Sequence, residues 1–309
     1  PLPAAMITTS NAVMSFILLL RRIIRQAMRC LPVLALAALS GCSTIQLVYN
    51  QSDDLLYWWM DAYVDFQDNQ KQFTRDTLSN LQRWHRQQQL PEYVALLKRV
   101  QTMAPNDITP AQVCGVTEDI KSSFVTLLRF IEPEATRLGV QLTPEQLRNM
   151  RKRYDKTNKD WREDWLEGSA EKRLKYRTKQ ALNRLEDFYG RLDAPQREVL
   201  RQWLNESVFD ATTSYAERER RQADSLQTLQ RMAQAGEASA TTQALLRGWI
   251  DRSFNSPIER HRAYGQALWQ ENCEGFAKLH NSTTPAQRQH LAESLRGYEN
   301  DFRNLMSKK

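Results

Sequence analysis

The sequence predicts an all-α fold, with antiparallel helices in an elongated, bundle-like domain. Three observations carry this. Apolar residues recur at steps of three and four through most of the chain. A helix-start signal of one form, Thr-Pro-x-Gln, comes back at Thr109, Thr143 and Thr284. No segment of useful length alternates apolar and polar residues as a half-buried strand does, and the 309 residues include only ten Gly.

The order of elements begins with an export signal. Arg21, Arg22, Arg25 and Arg29 precede a short apolar run from Leu31 to Leu39, and no acidic residue occurs before Asp53. A basic region, a short apolar region and a small-residue cleavage site are the parts of a secretory signal. The run is shorter than the about 20 residues needed to cross a bilayer. It ends in Leu39-Ser40-Gly41-Cys42, which resembles a bacterial lipobox at every position. The resemblance implies cleavage before Cys42, a lipid on its sulfur and an acylated amino terminus, enough acyl chain for stable anchoring. Ser rather than Asp at position 43 implies sorting to the outer membrane, on its periplasmic face. Met14 or Met28 is a more natural start than Pro1.

Removing residues 1–41 as a signal peptide leaves 42–309 as a helical periplasmic domain, 268 residues long. It forms one elongated core or two lobes with a boundary near residue 138. The formal charge of +7 falls to +3 once the four signal arginines leave. That balance and the export signal argue against nucleic acid as a partner.

Ser43 to Gln51 is expected to be a short tether. A helix then starts near Asp53, with Leu55, Trp59, Ala62 and Phe66 as its core stripe and Asp54, Asp61, Asp65 and Asp68 on a solvated face. A second runs from about Asn69 to Gln88, with Phe73, Leu78, Leu81 and Trp84 inward, and Leu90-Pro91 is expected to break it. A third carries Tyr93, Leu96, Leu97 and Val100 as far as Pro105. The Thr109 box opens a helix through Ile120, Phe124, Leu127 and Ile131; the Thr143 box opens one through Met150, Tyr154, Trp161 and Trp165, which Gly168-Ser169 ends. A further helix runs from Ala170 to Gly190. Asp193-Ala194-Pro195-Gln196, a looser box, opens another that is expected to continue towards Met232. Gly236 to Thr242 is a hinge. Helices near 243–253, 257–280 and 285–306 close the chain, the last with Leu291, Leu295, Tyr298, Phe302 and Leu305 on one face.

Sites are few. No catalytic residue, metal-ligand set or cofactor motif stands out: His85, His261, His280 and His290 form no HExxH or Cys/His cluster, and there is no nucleophile elbow or phosphate loop. The run Glu217-Arg218-Glu219-Arg220-Arg221 is expected to be a solvated face with i,i+4 pairing. Trp58 and Trp59 point about 100° apart on a helix, so one of them is expected to be exposed. Cys114 and Cys273 are the two thiols left once Cys30 goes with the signal and Cys42 carries lipid. In an oxidising compartment they are expected to pair, with two separate buried thiols as the alternative.

Two resemblances bear on function. Leu142-Thr143-Pro144-Glu145-Gln146 resembles the Leu-Thr-x-x-Gln motif of small periplasmic helical chaperones and stress sensors, although any well-capped helix start has the same form. Leu47-Val48-Tyr49-Asn50-Gln51, Tyr57-Trp58 with Asp61, Leu90-Pro91 with Tyr93, and Trp165-Leu166 with Gly168-Ser169 resemble an uncharacterised family of proteobacterial lipoproteins. The family implies a helical periplasmic domain on a lipid anchor and no catalytic residues. The expected role is therefore non-enzymatic: binding, scaffolding or a chaperone-like surface. The expected partners are the membrane, through Cys42, and an envelope protein or the cell wall. An envelope glycan-processing or hydrolytic enzyme is the alternative.

Overall fold

The computed structural model describes residues 44–307, all-α as expected. The helices are α1 (Thr44–Asn50), α2 (Ser52–Val64), α3 (Asp68–Trp84), α4 (Leu90–Met103), α5 (Pro110–Gly139), α6 (Pro144–Trp165), α7 (Ala170–Tyr189), α8 (Ala194–Asn205), α9 (Ala211–Ala235), α10 (Ala240–Phe254), α11 (Glu259–Asn281) and α12 (Pro285–Ser307). The signal segment and Cys42 lie outside the described residues.

Three local expectations are corrected. Residues 44–50 are not a loose tether but a helix against α12, where buried Gln46 donates from Nε2 to Asp301 Oδ1 at 2.9 Å. Pro91 does not break the chain after α3. A π-helical turn, His85–Gln89, comes before it, and the Leu90 N–H reaches back five residues to the His85 carbonyl. The widened turn accommodates a proline that has no N–H to offer and a ring that crowds the previous turn. The helix after Asp193 stops at Asn205 instead of running on to Met232. There Arg177 donates to the Leu204 carbonyl and Ser207 Oγ, and Asp210 caps the next helix by accepting from the Thr213 N–H at 2.6 Å.

Two apolar clusters make the core. One gathers Tyr57, Val64, Phe66, Leu78, Leu81, Leu142 and Met150, with Leu127, Ile131, Tyr154 and Leu229 against them. The other gathers Leu185, Tyr189, Leu192, Leu200, Leu204, Leu279, Leu291 and Leu295, with Val100, Trp203 and Phe276 against them. Helix α12 packs most extensively on α4, and α11 on α5. Chain order and cluster membership interleave: the second cluster takes Ala104 from before residue 138 and the first takes Leu142 and Met150 from after it. A cut near 138 therefore does not separate them. Helix α5, about 45 Å long at 1.5 Å per residue, serves both ends. Its first turns face α11 and its Leu127 and Ile131 face the first cluster. Gly275 on α11 is required by close approach, because a Cβ there would sit 2.1 Å from the Trp203 ring.

The helix starts are the capping boxes the sequence shows. Thr109, Thr143 and Asp193 each accept from the N–H three residues on, and Gln112, Gln146 and Gln196 reach back to the cap N–H. Gln287 and Thr284 do the same, and Gln67 with Gln70 adds a box. Four of these boxes meet in pairs. Gln70 and Gln146 exchange amide hydrogen bonds, and each also donates to the carbonyl five residues before its partner: Gln70 to Gln141, Gln146 to Asp65. Gln196 and Gln287 repeat the arrangement, with Ser282 and Arg191 as the carbonyls. Each amide thus has its donors and acceptor filled, and Gln70, Gln146 and Gln196 are buried, the condition under which a buried polar group does not cost stability. Gln196→Ala is expected to destabilise the fold by about 1–3 kcal/mol, because it leaves Gln287 and the Ser282 carbonyl without that partner. A urea midpoint unchanged from wild type would contradict this.

Candidate functional site

The candidate site is the outer face of α1 and α2. Each residue of a helix turns by about 100°. Leu55, Leu56, Trp58, Trp59, Ala62 and Tyr63 therefore share one broad arc, and Tyr57, Met60 and Val64 lie opposite. The structure buries the second set. Tyr57 and Val64 are in the core with Met60 beside them, the Tyr57 ring lies near Phe66, and the Arg75 guanidinium sits 3.7 Å above its centroid. The stripe of Leu55, Trp59 and Ala62 expected to face the core is turned outward instead, and of that stripe only Phe66, past the helix end, is buried. Both spacings suit a helix; the match of Tyr57 and Val64 to Leu78 and Leu81 decides between them.

Trp58 is 59% exposed, Leu56 41% and Trp59 39%, and Leu47 on α1 is 64% exposed. Trp59 is braced on Tyr63, ring centres 5.1 Å apart. The acids of α2 are used on its flank: Asp54 pairs with Arg75 at 2.9 Å, and Asp61 Oδ1 accepts the Phe66 N–H at 2.8 Å. The residues of the arc are uncharged; Tyr63, at its edge, packs on the first cluster beside Tyr154, with the Arg153 guanidinium 5.4 Å from its ring centroid.

Helix α1 is held firmly to α3, the turn after it and α12. Gln82 Nε2 donates to the Tyr49 carbonyl and to Ser52 Oγ, and Arg86 donates to Asn50 Oδ1. The Tyr49 hydroxyl and His85 Nδ1 are hydrogen-bonded at 2.9 Å. Burial pushes the His85 pKa down to about 4 and the Tyr49 hydroxyl up to about 12, so both are neutral near pH 7.

A second polar cluster lies inside. Glu217 is buried, not solvated. Its carboxylate accepts from Arg220 Nε and Nη2 at 2.8 Å, Arg221 Nε at 3.0 Å and Ser256 Oγ at 3.1 Å, and His261 Nδ1 lies 2.8 Å away. Burial alone would push this carboxyl up. The hydrogen bonds and charges of Arg220 and Arg221 outweigh that and bring its pKa down to about 2. Asp224 continues the cluster, paired with Arg252 at 2.7 Å and Arg220 at 3.2 Å. His280 is also buried, between the Tyr189 hydroxyl at 2.8 Å and the Asn106 carbonyl at 2.9 Å, and burial lowers its pKa. His290 lies at the surface, its Nδ1 2.9 Å from the Phe188 carbonyl. The sulfurs of Cys114 and Cys273 are bonded, with Cα atoms 5.5 Å apart, joining the start of α5 to α11. Among the described residues no group of three or more His, Cys, Asp or Glu is placed to hold a metal, and no helix is long and apolar enough to cross a membrane.

A family model, DUF6279, a family of unknown function, matches residues 62–250, more than half of the chain. The chain belongs to the DUF6279 family. No curated protein and no solved structure matches it. The DUF6279 span includes Gln70, Gln146 and Gln196 of the amide pairs and Glu217, Arg220 and Arg221 of the buried cluster. Leu90-Pro91 and Trp165 to Ser169 fall within it; Leu47 to Gln51, Trp58, Asp61, His261 and Cys273 fall outside.

Proposed function

We propose that the protein is a lipoprotein of the cell envelope, held by Cys42 on the periplasmic face of the outer membrane. It acts there by binding, as a scaffold or chaperone-like surface, rather than by catalysis. The position of Cys42 carries the reading: it ends a lipobox-like tetrapeptide two residues before Thr44, the first residue of α1. The Cys114–Cys273 bond supports export, because such bonds persist in oxidising compartments. The buried titratable groups support a structural role. Glu217 is consumed by Arg220, Arg221, Ser256 and His261, and His280 by Tyr189 and Asn106. The partner is an envelope protein or the cell wall, besides the membrane itself.

Cys42→Ser is expected to leave an uncleaved precursor and to abolish labelling by radioactive palmitate, and the wild type is expected to fractionate with the outer membrane. Labelling that survives the substitution sinks the lipoprotein reading. Wild-type protein found with the inner membrane sinks the sorting assignment.

A further inference from the structure

We infer that the exposed apolar residues of α1 and α2, Leu47, Leu56, Trp58 and Trp59, rest at the boundary between headgroups and acyl chains of the lipid bilayer. The inference builds on the lipoprotein reading and adds an orientation to it.

From Cys42 to Thr44 the chain spans at most about 7 Å even when fully extended, so an acylated Cys42 leaves almost no spacer. Helix α1 is no spacer either. Gln46 ties it to α12 through Asp301, and Gln82 and Arg86 tie its end to α3 and the turn that follows. The folded body is therefore held at the membrane surface by the element nearest the anchor. A domain on a long flexible linker would be free to tumble; this one has a fixed side next to the lipid.

The side in question is where the outward arc of α2 lies, twelve residues of chain after Leu47 at its far Trp. Leu56, Trp58 and Trp59 stand open there, Leu47 is open on α1, and the residues of the arc are uncharged, since Asp54 and Asp61 are engaged on the flank. Trp and Tyr favour the membrane interface, where an apolar ring and a polar N–H or O–H meet both phases. A helix lying in the interface buries its apolar face about 5–10 Å into the headgroup boundary. A stripe with core spacing that faces outward, beside the anchor, has its missing apolar neighbour supplied by acyl chains.

The test uses the full chain, extracted from cells in detergent and reconstituted into vesicles of phosphatidylethanolamine and phosphatidylglycerol, with and without brominated acyl chains. Tryptophan emission is compared between wild type and Trp58→Phe, a change at an exposed position that leaves the core intact. The expected result is that brominated lipid quenches the part of the emission that Trp58→Phe removes, while aqueous iodide does not reach it. A Trp58 contribution quenched by iodide and untouched by brominated lipid overturns the inference. So does a dimer in detergent that Trp58→Asp dissolves, which would assign the face to a second copy. The mass of the Cys42 peptide is read from the same sample. Acylated Cys42 with a water-exposed Trp58 overturns the docking alone. Unmodified Cys42 overturns the lipoprotein reading, while the quenching still reports where the face lies.

Discussion

Loss of the Cys114–Cys273 bond is expected to destabilise the folded chain by up to about 5 kcal/mol, the loop-closure value for a closed loop of this size. The two residues are 159 apart in sequence. Their Cα separation of 5.5 Å is in the range a disulfide adopts without backbone movement. The folded state does not need the bond to bring α5 to α11, because Trp269 Nε1 donates to Thr117 Oγ1 at 3.0 Å one turn along and Cys273 is buried. Reduction therefore acts chiefly on the unfolded chain, which gains freedom. Urea unfolding with and without reductant measures the effect. A Cys114→Ala, Cys273→Ala double variant should match the reduced wild type and ignore reductant. Superimposable oxidised and reduced wild-type curves, or two titratable thiols in the unreduced denatured chain, would contradict the bond.

How much of this was legible in the sequence depends on how local the cause is. The capping boxes are decided by side chains three residues apart, so Thr109, Thr143, Asp193 and Thr284 could be read directly as helix starts. What the same glutamines do across the fold could not. The exchange between Gln70 and Gln146 joins residues 76 apart, and nothing near either one specifies the other. The stripe of α2 is left undecided by the sequence for a related reason. Two apolar sets on that helix, Leu55–Trp59–Ala62 and Tyr57–Met60–Val64, both have helical spacing. The neighbour that chooses between them, α3, arrives through packing that periodicity does not encode.

The break after Asn205 is hidden in the sequence because Glu206 to Asp210 contains no Gly or Pro; only Asp210, as a cap, marks it. The outward face was legible in part: adjacency placed Trp58 and Trp59 on different directions of the helix, yet both proved partly open. The Glu217 run looked like a solvated face because its acids and bases alternate. Ser256 and His261 complete its environment from 39 and 44 residues downstream, a distance at which sequence pattern is silent.

Glu217→Gln should cost about 3–5 kcal/mol, the range for breaking a buried ion pair from one side. The amide keeps the shape of the carboxylate, so packing changes little. What is lost is the negative charge that Arg220 and Arg221 face from less than a fifth exposure each. Their guanidiniums would stay desolvated with that charge gone, Asp224 still facing Arg220 at 3.2 Å, and one amide oxygen cannot accept what two carboxylate oxygens accept now. The acid limb of stability gives an independent signature. Folded Glu217 titrates at about 2, well below its ordinary 4.5. Between those values the unfolded chain binds more protons, so the stabilisation is complete above pH 4.5 and is lost as pH falls towards 2. His85 acts in a higher window: its neutral form persists to about 4 in the fold, so the fold loses stability as pH falls from 6.5 to about 4. The substitution should flatten the lower window and leave the upper one in place. Urea unfolding from pH 7 to pH 2 resolves the two. Parallel curves for wild type and Glu217→Gln below pH 4.5 would show that this carboxyl is not held low by its arginines, and that the cluster is not what couples α9 to the segment carrying Ser256 and His261.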